Sequence, residues 1–208
     1  MPGVHSITLL WQAVAHGLTA PSLDARIYTA VMHTANGSSS FRSGWGRRRV
    51  NGELNEMARN GGVLYFGEGN SQTVSEALEY AINWHCIGQM ARRMGDAPTA
   101  ARFARLAAVY RTLYDPSVGY FSGRKRDGTR VVERRPYHAS STSLWTEGSA
   151  LQWLFHVQHD YDGLLELLGQ PLLTARLHLL FTLTNSTTEV PDATGLIGSC
   201  NIKSGLDR

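Results

Sequence analysis

The run Trp145-Thr146-Glu147-Gly148-Ser149-Ala150-Leu151-Gln152-Trp153 sets one carboxylate between two tryptophans. Indole faces are good platforms for sugars. A carboxyl group shielded by such rings has its charged form disfavoured, so its pKa rises and it can serve as a general acid. The competing reading puts Glu147 in the first turn of a helix, where the helix dipole keeps it ionised. Other carboxylates carry less. His159-Asp160 reads as a helix cap. Glu79 lies beside Tyr80 and opposite Trp84 in a helical pattern, as either a buried, paired carboxylate or a solvated one.

Most standard chemistries have no signature here. There is no phosphate loop ending in Lys-Ser/Thr, no HExxH and no GxSxG. Gly67-Glu68-Gly69-Asn70 follows no strand pattern and is not a nucleotide fingerprint. The eight histidines are scattered, and Cys86 and Cys200 form neither a zinc motif nor a disulfide framework. No metal site is therefore expected from the residues themselves. Arg47-Arg48-Arg49 reads as a solvated turn.

Helices must position whatever chemistry remains. Residues 6–35 read as one or two helices, broken near Thr19-Ala20-Pro21 and restarted at Ser22 or Asp24. Residues 36–72 form a Gly-rich connection with one short helix near Asn51–Arg59. Thr73 with Glu76 predicts a capping box. It is followed by an apolar stripe of Ala77, Tyr80, Ala81, Trp84, Ile87, Ala91 and Met94 at helical spacing. Gly95 ends that helix, and Asp96 with Pro98 opens the next, which runs to Asp115-Pro116. A second long loop covers 117–142, with a turn at Arg126-Asp127-Gly128. Helices near 147–157 and 161–182 follow, and the tail from Thr182 is rich in Thr, Ser and Gly. No strand pattern competes. The fold class expected is all-α, with helix pairs joined by alternating short and long connections. A helical toroid, a right-angled bundle and an α-solenoid all fit that pattern, and the lack of an internal repeat argues against a consensus solenoid.

Composition sets the outer bounds. The chain has 208 residues, of which 42% are hydrophobic and 18% charged, so it can bury a sizeable core. The net charge of +3 is too small to imply nucleic acid. All basic residues but Lys125 and Lys203 are arginine, a bias that GC-rich codon usage explains better than phosphate binding does. No apolar run is long enough to span a bilayer. Ser6–Ala20 is moderately apolar, but no Lys or Arg precedes it and His16 interrupts it. A buried helix therefore fits better than a signal peptide, and the compartment stays open.

Three blocks carry a family resemblance. Val74-Ser75-Glu76-Ala77-Leu78-Glu79-Tyr80-Ala81, then Trp84, Cys86 and Ile87, resembles the V-S-x-T-L-E-Y-A-x-x-D-W-C-I block of glycoside hydrolase family 92. Leu113-Tyr114-Asp115-Pro116-x-x-Gly119-Tyr120-Phe121 resembles its L-F-D-P-x-T-G-F segment. Thr146-Glu147-Gly148-Ser149-Ala150-Leu151-Gln152-Trp153, then Val157-Gln158-His159-Asp160-x-x-Gly163-Leu164, resembles T-E-G-N-A-W-Q-Y followed by V-P-H-D-x-x-G-L. The resemblance runs from about Tyr28 to Gly198 and is specific from about residue 73.

That family comprises calcium-dependent, inverting exo-α-mannosidases. The resemblance implies an (α/α)6 toroid, of which residues 1–198 would be a middle piece of antiparallel helix pairs with long loops on one rim and 199–208 a divergent tail. It implies a mannose-containing glycan as partner and Glu147 as general acid, with Trp145, Gln152 and Trp153 as sugar-contacting candidates. An inverting enzyme also needs a second carboxylate about 6.5–9.5 Å from the first to activate water. The family draws that base from a G-N-D-D-x-G block and holds calcium near an H-G-N-E-P-S-H-H block. Neither block occurs in this chain, nor does the upstream W-D-T block. Asp160 and Asp162 are candidates for the base by proximity alone, and capping and solvation suit them better. Ser149, Leu151 and Gln158 stand where the family has Asn, Trp and Pro. The expectation is an incomplete site, with possible self-association through exposed helix faces. Two rival readings are a non-catalytic fragment or pseudoenzyme that binds glycan or a partner protein, and an unrelated helical scaffold with an accidental match.

Overall fold

A computed structural model describes residues 5–35, 57–67, 72–134, 136–137, 144–146 and 148–182. Those residues are mostly helical. Eight helices with named bounds carry them: α1 His5–Ala15, α2 Pro21–Ala35, α3 Thr73–Arg93, α4 Ala97–Ala107, α5 Val109–Leu113, α6 Ala150–Leu154, α7 Tyr161–Leu168 and α8 Gln170–Thr182. The chain divides into two compact units, one holding Gly3–Leu64 and Glu79–Val109, the other Tyr65–Leu78 and the residues from Tyr110 onward.

In the first unit α1 packs against α2. The core takes Ile7 and Val14 from α1, Val31 from α2, Ala81, Trp84, Ile87 and Met90 from α3, and Phe103 and Leu106 from α4, all buried. Of the stripe that the helical period predicts over 77–94, Ala77, Ala81, Trp84, Ile87 and Ala91 are buried, while Tyr80 and Met94 are half-buried. Gly17, with φ +68°, lets the chain leave α1, and Pro21 opens α2. Asp24 does not cap α2. It is buried, accepts from Thr19 Oγ1, and pairs with Arg93 at 3.2 Å. Gly95, with φ +76°, ends α3, and Asp96 caps α4 by accepting from the Thr99 amide at 3.1 Å. The Tyr28 hydroxyl donates to the same carboxylate at 2.9 Å, tying α2 to the α3–α4 corner.

In the second unit the loop expected after Asp115 holds two small antiparallel ladders. β1 (Tyr114–Asp115) pairs with β2 (Tyr120–Phe121), and β3 (Gly123–Arg124) pairs with β4 (Arg130–Val131). Strands of two residues are too short for alternation to show in a sequence. The turns are nevertheless legible. Asp115 accepts from the Ser117 amide at 3.0 Å, and Gly119 follows with φ +68°. The Arg126–Gly128 turn closes as expected, with the Gly128 amide on the Lys125 carbonyl at 3.0 Å and φ +87° at Gly128. Tyr65 bridges to Arg124, and the Phe66 amide donates to the Arg124 carbonyl at 2.8 Å, so the two long loops meet here.

Helix bounds depart from the sequence reading where glycine or a local cap intervenes. The stretch expected at 161–182 is two helices, separated at Gly169 with φ +73°. The one expected at 147–157 shortens to α6, because Ser149 caps it. The Asn51–Arg59 helix is described only from Met57, and the Arg47–Arg49 run, residues 68–70 and Cys200 lie outside the described residues.

Candidate active site

Thr146 and Gly148 flank Glu147, which itself lies outside the described residues. Both flanks are fixed. The Leu144 carbonyl accepts from the Val74 and Ser75 amides, each at 3.2 Å, at the start of α3. Two residues on, the Thr146 amide donates to Ser75 Oγ at 2.9 Å, and Ser75 Oγ donates to the Gln72 carbonyl at 2.9 Å. Thr146 Oγ1 donates to Gln72 Oε1 at 3.0 Å, and the Trp153 indole N–H donates to the Thr146 carbonyl at 3.0 Å. Gly148 closes the other side, where a Cβ would sit 2.8 Å from Trp153 Nε1. Only glycine allows that approach of backbone to ring.

The capping box predicted at Thr73 and Glu76 does not form. Gln72 is the cap residue, its carbonyl accepting from the Glu76 amide at 3.0 Å, and Thr73 Oγ1 is buried with no partner among the described residues. The Glu76 amide that Thr73 would have satisfied thus goes to Gln72, and the Val74 and Ser75 amides go to the Leu144 carbonyl, supplied from far along the chain. A capping box does form one block later. Ser149 accepts from the Gln152 amide at 3.3 Å, and Gln152 Oε1 accepts from the Ser149 amide at 2.8 Å.

The expected sugar-contacting side chains separate. Trp145 is fully buried, with no partner for its indole N–H among the described residues. A ring closed to solvent offers no face to a sugar, so Trp145 backs the loop from the core instead of serving as a platform. Trp153 is half-buried, holds Thr146 through its N–H, and stacks edge-on with His156 at 4.7 Å between centroids. Gln152 is half-buried beside it.

Asp160 is a cap, as its sequence position suggests. It accepts from the Gly163 amide at 3.0 Å and the Tyr110 hydroxyl at 2.5 Å, with Arg111 3.9 Å away. Desolvation pushes its pKa up, but the Tyr110 and Gly163 donors and the Arg111 charge outweigh that and hold it below the usual carboxylate value. A carboxylate so engaged is spent on structure. Asp162 is exposed in the first turn of α7.

Sequence reasoning passed over two features. Ser75 and Gln72 have no signal of their own, since their partner Thr146 is distant in the chain. Asp115 carried a signal in the Asp-Pro dipeptide, and it is a hub: buried, accepting from Ser117 Oγ at 2.7 Å and Ser122 Oγ at 3.1 Å, with Arg130 at 3.5 Å. Cys86 is buried, and burial pushes its thiol up to about 11, which keeps it inert. Glu79 is half-buried. Among the described residues no three His, Cys, Asp or Glu side chains converge to hold a metal ion, so these residues do not fit a calcium centre. Among them, too, no helix is long and apolar enough to cross a membrane.

The model of the glycosyl hydrolase family 92 catalytic domain matches residues 1–204, reaching beyond Tyr28 and Gly198 at either end. Several solved structures are similar. The family GH92 alpha-mannosidase BT3965 from Bacteroides thetaiotaomicron shares 28% identity at a TM-score of 0.77, over 96% of this chain and 25% of that one. The same enzyme in complex with mannoimidazole gives 27% and 0.75, over 96% and 25%. The family GH92 inverting mannosidase BT2199 from Bacteroides thetaiotaomicron VPI-5482 gives 26% and 0.74, over 91% and 25%. No curated protein matches the chain. The chain thus spans about a quarter of the length of these solved enzymes, with the first and third motif blocks joined through Thr146. It belongs to glycosyl hydrolase family 92.

Proposed function

We propose that this chain forms part of an (α/α)6 toroidal catalytic domain that hydrolyses terminal α-mannosides, and that it contributes the general acid, Glu147. The observation that carries this reading is the anchoring of Thr146 and Gly148, the neighbours of residue 147 in sequence. Thr146 is held on one side by Ser75, Gln72 and Trp153, and Gly148 is packed on Trp153 on the other. A proton donor gains from such fixing, because transfer requires it within hydrogen-bond reach of the leaving oxygen. Glu147 protonates the glycosidic oxygen as the C–O bond breaks, while a carboxylate about 6.5–9.5 Å away takes a proton from water attacking the opposite face. Trp153 and Gln152 are the side chains proposed to contact the sugar. The base and any calcium ligands come from other segments of the domain. The mannoimidazole complex of the solved relative supports a mannose-type ligand.

The test exchanges residues 1–208 for the matching quarter of BT3965. The exchanged enzyme is expected to hydrolyse an aryl α-mannoside, and Glu147→Gln to cut kcat about 10²–10⁴-fold, the usual worth of general acid catalysis. The 208-residue polypeptide alone is expected to show no turnover, with or without calcium. Calcium-dependent turnover by that polypeptide, abolished by Glu147→Gln, would place a base and a metal site within these residues and overturn the division of labour.

A further inference from the structure

We infer that Gln72 and Ser75 are positioning residues for the Thr146–Gly148 segment, and that the left-handed backbone of Gln72 is a strain tolerated for that purpose; the inference rests on the role proposed for Glu147. Gln72 has φ +61° and is, among the described residues, the one non-glycine with positive φ. Side chains other than those of Asn and Asp seldom sit there, and strain of this kind persists only where the surroundings impose it.

The proton ledger shows what imposes it. Ser75 and Thr146 have one hydroxyl proton each. Ser75 gives its proton to the Gln72 carbonyl and Thr146 gives its own to Gln72 Oε1, so both end on Gln72. Ser75 Oγ is then free to accept the Thr146 amide, and the two hydroxyl oxygens lie 3.0 Å apart. Capping α3 does not require the Gln72 side chain, because the Leu144 carbonyl already takes the Val74 and Ser75 amides. Glycine would adopt φ +61° without strain. What glycine cannot do is receive the Thr146 hydroxyl. The carbonyl of Gln72 therefore serves its own helix, and its side chain serves the loop.

Two substitutions separate strain from positioning. Gln72→Gly removes both the strain and the acceptor, whereas Gln72→Glu keeps the acceptor. In the 208-residue chain, hydrogen exchange of the Thr146 amide is expected to accelerate at least tenfold in Gln72→Gly and in Ser75→Ala. Amides of Ala81–Ala91 in α3 should not change, Gln72→Gly should melt no lower than the parent, and Gln72→Glu should restore protection. In the exchanged enzyme, Gln72→Gly is expected to lower kcat about tenfold with KM unchanged. Unchanged Thr146 exchange in both variants overturns the inference. So does faster exchange throughout α3 with a lower melting temperature in Gln72→Gly, which would make the contact merely structural. If the Thr146 pattern holds while Glu147→Gln leaves turnover intact, the reading of Glu147 fails separately.

Discussion

Gly163 shows how much a single residue can hold. A Cβ there would collide with the Tyr110 hydroxyl and come within 2.5 Å of both Arg111 Nη2 and Asp160 Oδ2. Gly163→Ala must therefore break the Tyr110–Asp160 bond or displace α7. The expected cost is about 2–4 kcal/mol, from overpacking plus a lost charged hydrogen bond, read as a lower denaturant midpoint. Asp115 gives a pH-dependent counterpart. Burial raises its pKa, but Ser117, Arg130 and Ser122 more than offset this and leave it below the ordinary value. A depressed folded pKa means that the stability is complete above the unfolded value of about 3.9 and is lost as pH falls through the folded one. Asp115→Asn is thus expected to lower the melting temperature at pH 7, by a margin that shrinks as pH falls below the unfolded value of about 3.9. The Asp115-Pro116 dipeptide made the end of the preceding helix legible in advance. The crowding over Gly163 was not, since Tyr110 and Arg111 reach it from another helix.

Helix termini divide along the same line. Ser149 and Asp160 cap with their own side chains over three residues, and such local contacts can be read from sequence. The start of α3 cannot, because Leu144 supplies an acceptor from a distant loop and Thr73 Oγ1 is buried with no partner among the described residues. Ser149→Ala is expected to cost about 1 kcal/mol, as a lost cap does. Thr73→Val is expected to cost nothing or to stabilise slightly, because it removes that buried hydroxyl. A loss of about 1 kcal/mol in Thr73→Val, measured by urea unfolding, would restore the capping box that the sequence pattern suggested. The long, periodic helices were the most legible elements. The two-residue strands and the break at Gly169 were hidden by their brevity.

Exposed apolar side chains bear on the behaviour of the whole molecule. None of the residues of α8 is buried, and Leu177 and Phe181 are 45% and 56% exposed. In α1 Leu9 is 72% exposed. Apolar surface of this kind favours association in water. Sedimentation velocity on the 208-residue polypeptide is expected to show concentration-dependent association, weakened in a Leu177→Asp/Phe181→Asp double variant. A monomer at all concentrations would count against it. The family was legible because its motif blocks are local strings of residues. The mutual placement of those blocks was not, because it depends on hydrogen bonds between segments far apart in the chain. At this scale the central claim is that the anchored segment around residue 147 delivers the proton to the leaving group. A series of aryl α-mannosides with graded leaving-group pKa, turned over by the exchanged enzyme and its Glu147→Gln variant, tests it most directly. The expected result is a loss that grows as the leaving group becomes more basic and nearly vanishes for the most acidic phenol. An equal loss across the series would contradict the claim, because it would mean that Glu147 shapes the site without donating the proton.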